Sequence, residues 1–125
     1  MPVKSAASVR AEVVGAGNGT TRQVLIGPDE GPNFALRRFI MDPGGSMPPH
    51  TNTVEHEQYV LRGRARIGVG GHVDEVSADD VIFIPAGTPH WYEALGDEAF
   101  EFLCVVPNGP DRIEVLENSS TDPGC

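Results

Sequence analysis

Proline and glycine interrupt this chain every few residues, and that punctuation constrains its fold more than any other feature. With 11 prolines and 15 glycines in 125 residues, the chain carries far too many breaks for a helical bundle, because proline breaks a helix interior and glycine weakens it. Between the breaks lie short runs rich in Val, Ile and aromatic residues, the composition of strands. The runs predict strands over Arg22–Ile26, Phe34–Met41, His56–Arg62, Ala65–Val69, His72–Val76, Val81–Ile84, His90–Glu93 and Phe100–Val106. Between them, the stretches 27–32, 70–71 and 96–97 read as turns, and Asp42 to Pro49 as a tight, rigid bend. Short antiparallel strands at this spacing fit a sandwich or small barrel, and the length fits one domain with one core. Residues 1–8 and 117–125 are polar and read as loosely held tails.

The formal charge of −9 argues against nucleic acid and anionic membrane surfaces as partners and makes a cationic or neutral small molecule easier, although a local metal can reverse that preference within the pocket. No apolar run reaches the ~18 to 20 residues of a membrane span. The first residues lack the apolar core of a secretion signal, so the expected location is cytoplasmic. Two Asn-Gly-Thr and Asn-Ser-Ser glycosylation patterns, at Asn18 and Asn118, then carry no weight. The two cysteines, Cys104 in an apolar run and Cys125 at the last position, suggest no disulfide framework.

Three of the four histidines, His50, His56 and His90, sit at bends or strand starts, where β-structure can aim them into one pocket. Three neutral imidazoles brought together make a transition-metal site. Strand alternation sorts their neighbours. If His56 points inward, so do Gln58 and Val60, while Glu57, Tyr59 and Leu61 face away. If His90 points inward, so does Tyr92, and Trp91 packs outside. An inward Phe39 places Arg37 and Met41 on its face. Phe102, Cys104 and Val106 share a face, taken as the inner one because Glu101 would otherwise be buried.

The order and spacing of these residues resemble the two signature motifs of the cupin superfamily. Gly44, His50, His56 and Gly63 follow the first motif, and Pro85, Gly87 and His90 the second. The chain is also similar to small single-domain cupins with four-histidine sites. The resemblance implies an all-β, double-stranded β-helix (jelly-roll) barrel holding one divalent transition metal, whether Fe, Cu, Mn, Ni or Zn. It also implies a small-molecule substrate and a homodimer formed through an outer sheet face, to which Tyr59, Leu61 and Trp91 would contribute.

The departures shape the expected chemistry. His56 stands in place of the motif's Glu, leaving the ion's charge uncompensated by protein ligands, which favours an incoming anion, hydroxide or peroxide. Asn52 replaces the second His; it is either a weak ligand or substrate contact, or a turn-stabilising residue that never meets the metal. Asp79 and Ala94 replace the Gly and the final Asn of the second motif. The expected centre is therefore His50, His56 and His90 with open positions, as a catalytic metal needs.

Arg37, Phe39, Asn52, Gln58, Tyr92, Phe102 and Cys104 are the candidate substrate-binding residues; no catalytic residue is assigned. Arg37 either reaches an outer rim or binds an anionic group of the substrate. Cys104 reads mainly as a small buried hydrophobe of the pocket wall. Tyr92 reads as an aromatic wall more than a proton donor. Glu55 and Glu57 read as a solvated edge rather than a catalytic pair, and His72 as a surface residue. The Gly68 to Gly71 cluster is no phosphate loop, since no helix follows it. The leading expectation is an oxygen-using dioxygenase. An isomerase, cyclase or hydrolase using a Lewis-acid metal is the alternative, and a non-catalytic barrel binding a sugar-like ligand is the rival from another class.

Overall fold

A computed structural model describes residues 2–116. Ten strands run in chain order: β1 (Ala11–Val13), β2 (Asn18–Ile26), β3 (Phe34–Asn52), β4 (His56–Arg62), β5 (Arg64–Val69), β6 (His72–Ser77), β7 (Val81–Ile84), β8 (His90–Leu95), β9 (Phe100–Pro107) and β10 (Ile113–Val115). All pairings are antiparallel, and the sheet runs β6-β5-β8-β3-β9-β4-β7, with β2 and β10 also on β3 and β1 on β2. The curled sheet forms an all-β jelly-roll barrel. No described helix is long and apolar enough to cross a membrane.

Strand β3 organises the barrel. Its first part, Phe34 to Met41, pairs with β2 and β9; its last part, Ser46 to Asn52, pairs with β8 and β10. The stretch expected as a separating bend is thus a corner inside one 19-residue strand. Gly44 makes that corner with φ 79°, a left-handed conformation costly for any residue with a Cβ. At Gly45 a Cβ would stand 2.8 Å from the Asn18 carbonyl oxygen, so the strands approach closely there. Proline and glycine in this stretch bend the strand without ending it.

The predicted strands form within one or two residues at most ends. Strands β1 and β10 escaped notice because neither has a buried face, so alternation has nothing to mark. Ahead of β1, residues Ala6–Ser8 form one turn of 3-10 helix. Gln23 Nε2 donates to the Ala6 and Val9 carbonyls at 3.0 and 2.8 Å, and Lys4 pairs with Glu30. The tail 117–125, with Cys125 and the pattern at Asn118, lies outside the described residues.

Register stacks the inner side chains in layers, since Cα partners share a face. Met41 lies beside Phe100, and Phe39 beside Phe102 and, across β9, Val60. Next come Arg37, Cys104 and Gln58, and then Ala35 beside Val106, with His56 beside Ile84. Phe39, Met41, Val60, Phe100, Phe102 and Cys104 are all buried. Phe39 stacks on Phe102 with centroids 5.1 Å apart, and Tyr92 covers the other side of Phe102 at 5.2 Å. Opposite, on the outer face, Glu57, Tyr59 and Leu61 are exposed. Trp91 is half-buried with its indole over Gly68, in the space a Cβ there would need.

One premise of the alternation argument fails. Phe102, Cys104 and Val106 do face inward, yet Glu101 on the opposite face is also buried, at 5% exposure. Two guanidiniums make this tolerable: Arg38 holds one carboxylate oxygen, with Nε at 3.0 Å, and Arg62 Nη1 lies 3.2 Å from the other. A paired carboxylate can be covered where a lone one cannot.

Asp79 explains its own departure from the motif. It has φ 74°, the only positive φ among the described non-glycine residues, so it takes the left-handed shape that a glycine supplies more readily. Tyr59 Oη donates to its Oδ1 at 2.6 Å, and its backbone N–H donates to the Val60 carbonyl at 2.9 Å. Asp79→Ala keeps the strain and loses the acceptor, so it is expected to lower stability by ~1 kcal/mol. Asp79→Gly trades the same bond for relief of strain and should be close to neutral. Urea denaturation of both variants checks the pair.

Candidate metal centre

His50 and His90 are cross-strand partners on β3 and β8, each delivered by a proline-containing bend. Their ring centroids lie 4.1 Å apart. Each ring is oriented by the carbonyl two residues before it: His50 Nδ1 lies 2.8 Å from Pro48 O, and His90 Nδ1 lies 3.0 Å from Thr88 O. A carbonyl only accepts, so in both rings Nδ1 carries the proton and Nε2 presents a lone pair. That is the tautomer a metal-binding histidine takes. His56, the first residue of β4, brings its ring to 5.7 Å from that of His90.

All three rings are buried, at 0 to 1% exposure. Burial pushes the His56 imidazolium down to about 3, helped by the Arg37 charge and then by the other two rings. Burial likewise lowers His90 to about 4, with His50 adding to the shift. His50 is also lowered by burial, despite opposing contributions from Pro48 and Asp111. At neutral pH the trio is uncharged. Both ring nitrogens of His56 and Nε2 of His90 are buried without a hydrogen-bond partner. Each such atom costs ~1 to 3 kcal/mol of lost solvation unless something binds it.

Among the described residues, no three His, Cys, Asp or Glu side chains are set to close around a single ion as they stand. What is present is a convergent set of neutral imidazoles, with unpartnered nitrogens on His56 and His90. That donor set suits a borderline first-row divalent ion.

The adjoining layer holds Gln58, Tyr92, Cys104 and Arg37. Gln58 Nε2 donates to Tyr92 Oη at 2.8 Å, and the hydroxyl lies 3.1 Å from Gln58 Oε1. Tyr92 also meets His90 edge-on, with centroids 5.9 Å apart. Arg37 Nη2 donates to the Cys104 sulfur at 3.3 Å, and its guanidinium carbon sits 5.2 Å from the Phe39 ring centroid. Phe39 and Phe102 lie one layer further away and stack with each other and on Tyr92, not on an imidazole. Asn52 is buried two residues beyond His50, and its Nδ2 donates to Asp111 Oδ2 at 3.1 Å.

Glu55 and Glu57 are exposed, and the hydrogen bond that the protonated Glu57 carboxyl donates to Glu55 holds Glu57 up at about 7. Alternation turns this pair away from the histidines. His72 is exposed. Two residues were missed. Asp111 follows a Gly-Pro pair that signals only a loop, and nothing local marks it as the residue that ties down Asn52. Arg22 shares an inner row with Phe39, which only the β2 register reveals.

Residues 37–106 match the cupin domain family, and the chain belongs to that family. Among solved structures, the polyketide cyclase RemF from Streptomyces resistomycificus superposes with a TM-score of 0.85 at 34% identity, over 98% of this chain and 89% of that one. A cupin-2 domain, Rru_A2000 from Rhodospirillum rubrum, gives 0.76 at 31% identity, over 89% and 74%. Among curated proteins, 1-methylthio-D-xylulose 5-phosphate methylsulfurylase of Rhodospirillum rubrum is 36% identical over 92 residues, 74% of this chain. The chain spans 58% of that relative's length.

Proposed function

We propose that the protein is a metal-dependent enzyme that uses a Lewis-acid centre on a small carbonyl-bearing substrate, closing a ring in the manner of a cyclase. The observation that carries this reading is the trio of buried neutral imidazoles, in which both ring nitrogens of His56 and Nε2 of His90 have no hydrogen-bond partner. The likeness to a polyketide cyclase along nearly the whole chain supports it.

His50, His56 and His90 would hold the ion. When bound, it would polarise a substrate carbonyl and steady the negative charge that develops on the oxygen. The chain's own residues do the rest. Pro48 and Thr88 carbonyls fix two of the rings. Gln58 holds the Tyr92 hydroxyl in place, and the Tyr92, Phe102 and Phe39 stack keeps water from one side of the centre. Cys104 is a buried wall of the adjoining layer with no chemical role assigned.

Metal analysis combined with oxygen uptake tests the reading. About one equivalent of a divalent ion after loading, with no oxygen consumed on carbonyl substrates, is the expected result. Oxygen uptake on turnover would favour the dioxygenase, a second reading supported by the positions that three-histidine ligation leaves open. Failure to take up any ion would leave a non-catalytic ligand-binding barrel. Pairing of two copies belongs to the same proposal: Tyr59 and Leu61 on β4, with Val81 and Phe83 on β7, leave apolar surface exposed.

A further inference from the structure

A cavity of about 300 Å³ opens between the inner face of β2 and β3 and the segment after β9, lined among others by Arg22, Ala35, Arg37, Val54, Val106 and Asp111. A larger one, about 470 Å³, lies against Met47 and Trp91, and the residues lining it include neither Arg37 nor any of the three histidines. The smaller cavity adjoins the centre through Arg37, which lines it and also reaches Cys104 and acts electrostatically on His56.

Acidic residues outnumber basic ones by 18 to 9 in this chain, yet Arg37 takes no carboxylate. None of the ion pairs among the described residues includes it. Its partners are a thiol and a phenyl face, and its Nε–H is buried with no acceptor. Arg22 repeats the pattern: its Nε is also buried and unpartnered, and Glu12 holds its Nη2 at a distant 3.5 Å. The carboxylate in the wall, Asp111, is already occupied by Asn52 Nδ2 at 3.1 Å, Thr53 N at 2.8 Å and Thr53 Oγ1 at 3.0 Å. A half-buried guanidinium without a counter-charge is costly, and its planar donors match a carboxylate.

We propose that this cavity is the substrate's anion subsite, in which Arg37, assisted by Arg22, binds a carboxylate on a small organic molecule whose reacting end lies toward the three histidines. The identification of that anion as the substrate's rests on the metal-enzyme reading; the existence of the subsite does not. Arg37 is thus assigned to the ligand rather than to an outer rim, and it distinguishes acids from neutral analogues.

The test uses full-length protein stripped of metal by a chelator, with benzoate and its neutral counterpart benzamide as probes, followed by NMR on the arginine Nε–H resonances. Benzoate is expected to bind about tenfold more tightly than benzamide and to shift the Arg37 and Arg22 signals. Arg37→Gln should erase the preference, Arg22→Gln should reduce it, and Glu57→Ala, on the exposed outer face, should leave it intact. Should Arg37→Gln not fold, Arg37→Lys serves instead and should retain only part of the preference. Equal binding of acid and amide, an undiminished preference in either Arg37 variant, or its loss in Glu57→Ala would each overturn the subsite. Metal uptake by the reloaded wild type is measured separately. Its failure beside an intact benzoate preference would sink the metal reading and leave the subsite standing.

Discussion

His56→Ala is expected to lose more than about 100-fold in affinity for a divalent ion, beyond the range typical of residues that merely orient a ligand. The ring is fully buried and both its nitrogens are without partners, so its placement serves no hydrogen bond among the described residues. For the same reason the metal-free variant should stay within about 1 kcal/mol of wild type: the void left by the ring is offset by removal of two unsatisfied polar atoms. Glu57→Ala, one residue along on the exposed face, should bind metal as wild type does. Equilibrium dialysis of the three proteins decides. Equal affinity in the two variants would mean that His56 is no ligand.

Phe102→Ala is expected to destabilise the protein by about 3 to 5 kcal/mol, a large share of the ~5 to 15 kcal/mol that holds a domain together. Phe102 is 1% exposed and touches Phe39, Tyr92 and Phe100, with ring centroids 5.1 to 5.3 Å away. Truncation removes the middle of a stack, so its neighbours lose partners on both sides and cannot collapse together without moving two strands. The melting temperature should fall by about 10 to 20 °C for a chain of this length. Phe102→Leu, which keeps most of the volume, should cost under ~1.5 kcal/mol. Calorimetry on both variants checks the ratio; equal losses would mean that packing geometry matters less than contact with any aromatic ring.

The strands that build the centre were legible because each has one wet face. Strand β4 alternates buried and exposed from His56 to Val60, so its period of two gives both its identity and which side His56 takes. The cupin motifs did the same for His50 and His90 through their spacing from Gly44, Gly63 and Pro85. What escaped has a common cause: it depends on contacts between segments far apart in the chain. Glu101 is buried because Arg38 and Arg62 come from two other strands. Asn52 meets Asp111 across 59 residues. The corner at Gly44 reads locally as a terminator, and only pairing partners on both sides keep the strand going through it.

Arg37 and His50 are carried by the same long strand, on opposite sides of its glycine corner. A shift of β3 by one residue would turn both outward together, since neighbouring positions face opposite ways. If the proposed roles of the two residues hold, recognition of an acid and capture of an ion would be mechanically yoked. Evolution can tune either by exchanging side chains, but it cannot slide this ribbon to improve one and spare the other.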